Sequence, residues 1–154
     1  MLEIVDNLVT SMRAGLLAKG VKVIWGYSIK PPTSNLPCLC ITPGITKQTV
    51  NGTGHLKKEY FNIELKLYVG LRENMKQTTE QIEYMRELVS LMEKRNTTTW
   101  RPESDTVLGI LDADLSLGGT VGTITPAESI RYTDRQDDRV GVATLLLTAE
   151  RILN

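Results

Sequence analysis

The amino-acid sequence predicts an α+β fold, a mixed, largely antiparallel sheet with helices packed on one face. Three observations predict it. From Tyr60 to Val69, Phe61, Ile63, Leu65, Leu67 and Val69 face one way while Asn62, Glu64 and Lys66 face the other, which is the period of a strand with one dry and one wetter face. Residues 2–19 and 76–94 instead repeat apolar side chains at helical spacing. The length of 154 residues and the 41% hydrophobic share fit a single domain, 1–154, able to bury a core without staples.

The elements follow in order. In the first helix Ile4, Val5, Leu8, Met12 and Leu16 form the stripe, widened by Val9 and Leu17. Gly15 weakens it, and Lys19-Gly20 is its C-terminal stop. Val21 to Trp25 is a short strand, and Gly26 with Lys30-Pro31-Pro32-Thr33-Ser34-Asn35 reads as an extended loop. Cys38 to Thr42 is a second strand closed by Pro43-Gly44, and residues 45–56 read as a long connection into the alternating strand. The second helix has Asn74 or Thr78 as its cap, with Gln77 or Gln81 three residues on. Ile82, Met85, Val89 and Met92 make its stripe, and Lys94-Arg95 complements its C-terminal dipole.

Asn96 to Asp105 is polar, carries Trp100 and Pro102, and reads as a surface loop. Residues 106–118 fit a helix or a strand, with a short helix or irregular turn preferred before the Gly118-Gly119 break. Ser129 to Thr133, a charged turn from Asp134 to Arg139, and Gly141 to Arg151 make a closing β-hairpin.

Charge and composition exclude several classes. Eighteen basic residues balance eighteen acidic ones, against a generic nucleic-acid binder, which needs clustered excess Lys and Arg. The apolar runs are too short for a membrane span, and Met1-Leu2-Glu3-Ile4 opens without a signal-peptide pattern. The expected compartment is therefore cytoplasmic, with Cys38 and Cys40 as thiols.

The sequence carries no recognisable catalytic set. His55, the single histidine, lies in a Gly-bearing connection and reads as a solvated loop residue. Cys38-x-Cys40 on a strand puts both thiols on one face, without the C-x-x-C spacing or a second pair to hold a metal. Asp112-Ala113-Asp114 lacks a third ligand, and Gly118-Gly119-Thr120-Val121-Gly122-Thr123 lacks the Lys-Ser/Thr end and following helix of a phosphate loop. No enzyme activity, metal or cofactor is expected.

The order of elements carries a resemblance. A helix, a strand and a Pro-bearing loop lead to Leu36-Pro37-Cys38-Leu39-Cys40-Ile41-Thr42-Pro43. A long loop, the strand Glu59 to Val69 and a helix follow, then Leu117-Gly118-Gly119-Thr120-Val121 and a last strand Val142-Ala143-Thr144-Leu145-Leu146-Leu147. Over nearly the whole chain this resembles the tail terminator and tail-completion (head-tail joining) proteins of long-tailed bacteriophages. The resemblance implies a structural virion subunit of the tail or neck, assembled in the host cytoplasm as a hexameric ring. Such a ring caps the tail-tube protein, ends tube polymerisation and meets the head-side connector or head-closure protein, with DNA only passing through its lumen and no membrane involved. The competing expectations are a head-closure or adaptor neck protein, a non-viral α+β binding module, and an enzyme whose site is shared between subunits.

A ring needs unlike surfaces on two sides of each subunit, and loops are the usual means of locking onto a partner. The candidates are Val50, Asn51, Thr53, His55, Lys57 and Lys58 in one polar segment, and Trp100 and Arg101, residue types common at binding hot spots, in another. Trp100 could equally tuck back onto its own domain. Arg131, Arg135 and Arg139 on the closing hairpin are candidates for a charged ring surface, although Asp134, Asp137 and Asp138 alternate with them.

Overall fold

The computed structural model describes residues 1–25, 36–50, 57–70, 77–135 and 140–153. The alternating segment lies at its centre. β3 (Lys57–Gly70) pairs antiparallel with β2 (Cys38–Val50) on one side and β6 (Val140–Leu153) on the other. β1 (Lys22–Trp25) runs parallel to the start of β2, from Lys22 opposite Cys38 to Trp25 opposite Ile41. β4 (Thr123–Pro126) and β5 (Arg131–Arg135) both lie antiparallel to β6, at successive stretches of it. Together they form one edge interrupted at residues 127–130. Among the described residues the sheet has six strands in the order β1-β2-β3-β6-β4, with β5 also on β6.

The dry face of β3 is the floor of the core. Phe61, Ile63, Leu65, Leu67 and Val69 are all buried, and Leu65 lies between Ile41 and Leu145 in register. They share one cluster with Ala143, Leu145, Leu147 and Ala149 of β6 and with the buried side chains of α1 (Leu2–Leu16), α2 (Gln77–Glu93) and α3 (Val107–Ala113). Each Val, Leu, Ile, Phe or Met side chain among them contributes about 1.5–3 kcal/mol by leaving water. Cys38, Cys40, Tyr68, Val140 and Val142 form a smaller cluster. Because Tyr68 is an even position of β3, that cluster lies on the sheet's other face.

Three details differ from the sequence expectation. β2 does not close at Pro43-Gly44 but runs on to Val50, paired with β3 down to Lys57. The ladder shifts between Pro43 and Thr46. β1 has ended by then, so Pro43 sits on an edge and the bulge absorbs it. Gly44 is needed there because a Cβ would lie 2.8 Å from the Asn62 carbonyl oxygen.

On α2 the inward face holds Leu88, Leu91 and Met92, whereas Met85 and Val89 are exposed. Of the expected stripe, Met92 is in the core and Ile82 has no described side chain. The third detail is Gly15. A Cβ on it would come within 2.4 Å of Ile110 Cδ1, so its absence lets α3 lie close against α1.

The ambiguous segment is settled as the short helix α3. Thr106 caps it, its buried Oγ1 accepting from the Gly109 amide at 3.0 Å and donating to the Glu103 carbonyl at 2.7 Å. A trailing 3-10 turn, Leu17–Lys19, extends α1 to Gly20. The closing pair of antiparallel strands is present as β5 and β6, but β5 runs Arg131–Arg135, two residues later than the expected Ser129–Thr133 and into the expected turn.

Candidate functional site

The even face of β3 carries a groove. Its walls come from three places far apart in sequence: the β2 bulge (Gly44, Ile45), the end of β4 and the gap after it (Pro126, Ala127, Glu128) and the outward face of β6 (Leu146, Thr148). Asn62 and Glu64 cross its floor, and its volume is about 600 Å³. Pleating sets this arrangement. In the run Leu145-Leu146-Leu147 the two flanking leucines point into the core, so Leu146 must point out and is 55% exposed. Ile45 is thrown outward by the bulge and is also exposed. Glu64 is held by Lys66 at 3.2 Å, while Glu128 is exposed and makes no ion pair among the described residues.

A second feature stands between α2 and α3. Residues 94–103 form a small ladder: the Asn96 amide donates to the Arg101 carbonyl at 2.9 Å, the Glu103 amide to the Lys94 carbonyl at 2.7 Å, and Arg95 bridges Pro102. Inside it the Asn96 side-chain oxygen accepts from the amides of Thr98 and Thr99 at 2.8 and 3.1 Å, a local turn for which asparagine is suited. Arg95 donates to the Trp100 carbonyl at 2.9 Å. The outcome is a rigid tip on which Trp100 has φ 59° and is 71% exposed. The neighbouring Arg101 is also exposed and makes no ion pair among the described residues.

The remaining sequence candidates lie elsewhere. Val50 ends β2 opposite Lys57, so this part of the segment expected as a loop is a strand arm. Lys57 is exposed. Lys58 pairs with Glu150 at 3.1 Å, and that carboxylate holds its ammonium above the usual lysine range. Arg135 closes β5 opposite Val140. Asn51, Thr53, His55 and Arg139 lie outside the described residues. Trp100 does not tuck back onto its own domain.

Other polar groups serve structure. On the arm, Glu59 accepts from Arg151 at 2.9 Å and from Gln48 at 2.8 Å, with the Arg151 guanidinium 5.4 Å from the centre of the Phe61 ring. Arg151, with Gln48 assisting, holds the Glu59 carboxyl below the usual range. Cys38 and Cys40 are free and buried, and their mutual hydrogen bond and burial push the Cys40 thiol well up, so it stays protonated.

Asp114 organises the turn after α3 through Ser116 and the Gly118 amide. Among the described residues no group of three or more His, Cys, Asp or Glu is placed to hold a metal ion, and no helix is long and apolar enough to cross a membrane.

Trp100 is exposed as expected from the sequence, whereas the groove was not expected. Leu146 was the available signal, since three successive leucines in an alternating strand force one outward. No protein-family model matches the chain, and no curated protein matches it significantly.

Proposed function

We propose that the chain is a structural, non-enzymatic virion subunit. It closes into a hexameric ring on the end of a long phage tail tube, ends tube growth and offers a surface to the head-side connector, with DNA passing through the lumen. One observation carries this reading. The subunit presents apolar surface in two unlike places, the groove of Ile45, Pro126 and Leu146 on the sheet and the rigid Trp100 tip between two helices. A closed ring of heterologous contacts requires such unlike surfaces on each copy. The element order behind the resemblance to tail terminators supplies the identity of the ring's partner.

The test is mass photometry with negative-stain microscopy of the purified chain, alone and mixed with tail-tube subunits. Six-fold rings, or caps that halt tube growth, are the expected result. A chain that ignores tubes and binds DNA-filled heads would move it to the head side of the neck, and one that does neither would remove it from the virion.

A further inference from the structure

The two apolar features fit each other. We propose that Trp100 of one copy seats in the groove of a second copy, against Ile45, Pro126 and Leu146, with Arg101 of the first facing Glu128 of the second. The inference rests on the assembly reading above and supplies the contact that reading leaves unspecified.

Size is the first argument. The groove, at about 600 Å³, is within the roughly 300–1,000 Å³ of ordinary ligand pockets. An indole is the largest side chain the protein could offer it, burying about 150–250 Å². Charge is the second. Arg101 follows the indole directly and Glu128 stands on the groove's rim, both exposed and both without an ion pair among the described residues. The knob thus offers an apolar ring with a cation beside it, and the groove an apolar bed with an anion beside it.

Placement is the third. The groove opens on the even face of β3. The Trp100 tip follows α2, whose buried residues join the odd face, and Trp100 does not line the groove of its own chain. One copy therefore donates the knob while offering its own groove to the next, a contact that propagates and closes if the rotation allows. Rigidity is the last. A tip already fixed by Asn96 and Arg95 loses little freedom on docking.

Charge reversal and cross-linking test the contact. Arg101→Glu and Glu128→Arg should each weaken self-association about tenfold or more, as hot-spot changes do, and the two together should restore most of it. A chain with Trp100→Cys and Leu146→Cys should form intermolecular cross-links on mild oxidation, lost when either cysteine is omitted. All these positions are exposed, so thermal melts should match wild type and exclude misfolding. Wild-type assembly by Trp100→Ala and Arg101→Glu would place the ring contact elsewhere and overturn the inference while leaving the ring. A wild-type chain that stays monomeric with and without tubes would overturn both. Trp100→Ala that self-associates normally but loses tube binding would make the tube protein the occupant, against the inference.

Discussion

Two connecting segments solve the same backbone problem and end differently. Both hold a bulky residue in the left-handed region, Trp100 at φ 59° and Leu117 at φ 50°, an arrangement that costs of order 1–3 kcal/mol for a side chain with a Cβ. Both are fixed by a polar side chain reaching forward, Asn96 in the first and Asp114 in the second. Leu117, however, is 4% exposed and belongs to the main core, so burial offsets its strain. Trp100 faces solvent. Strain that no side-chain burial inside the subunit offsets is a reason to seek that offset at a partner.

The largest expected effect breaks the symmetry between the two. Leu117→Ala should cost about 2–5 kcal/mol, as truncation of a buried leucine does, whereas Trp100→Ala should stay within about 0.5 kcal/mol of wild type. Denaturant unfolding of the two variants measures this. Equal losses would mean that Trp100 is buried in solution and that the comparison is wrong. Next comes the landing of the first segment on the body. At Gly109 a Cβ would lie 1.8 Å from the Glu103 carbonyl oxygen, a backbone atom with nowhere to go. Gly109→Ala should therefore cost about 1–3 kcal/mol or more, and a neutral result would show that α3 can slide away from that loop.

A glycine at each position gives opposite signs. Trp100→Gly should raise stability by up to about 1 kcal/mol, because glycine adopts positive φ without strain, while removing the knob from assembly. Leu117→Gly gains the same relief but empties a core site and should lower stability. Thermal melts paired with mass photometry read both. A stability loss at Trp100→Gly would mean the indole packs on its own chain.

The comparison also shows what was legible beforehand. The alternation of β3 and the stripe of α1 announced themselves because one face of each is uniformly apolar. The arm was hidden, since Gln48, Glu59 and Arg151 form a polar row that hydrophobic periodicity does not register, and Pro43-Gly44 reads as a stop when it is an edge bulge. On α2, Leu88 and Val89, and Leu91 and Met92, are adjacent pairs of apolar residues, so spacing alone could not choose the inward face. Neither left-handed residue is a glycine, which left the backbone conformation of Trp100 and Leu117 unmarked. The groove draws its lining from β2, β3, β4, β6 and the stretch after β4, segments far apart in sequence that only strand pairing brings together.

The smallest effect separates the two caps by their chemistry. Ser116, through its hydroxyl, and the Gly118 amide hold the Asp114 carboxyl below the usual aspartate range. A carboxyl whose folded pKa lies below its unfolded value of about 3.9 lends stability that is fully present above that value. The contribution is lost as pH falls through the folded pKa. Asn96 does not titrate, so that cap has no such dependence. The difference in melting temperature between wild type and Asp114→Asn should hold steady near neutrality and shrink as the pH is lowered below about 4. Glu59→Gln serves as a control, because the Arg151-held Glu59 carboxyl is depressed as well and must be separated from Asp114. Placing a carboxylate in the first segment by Asn96→Asp should give that segment the same acid sensitivity while leaving the second unchanged. A gap between wild type and Asp114→Asn that widens in acid would have the wrong sign for a carboxylate cap, and the turn after α3 would then owe its shape to Leu117 alone.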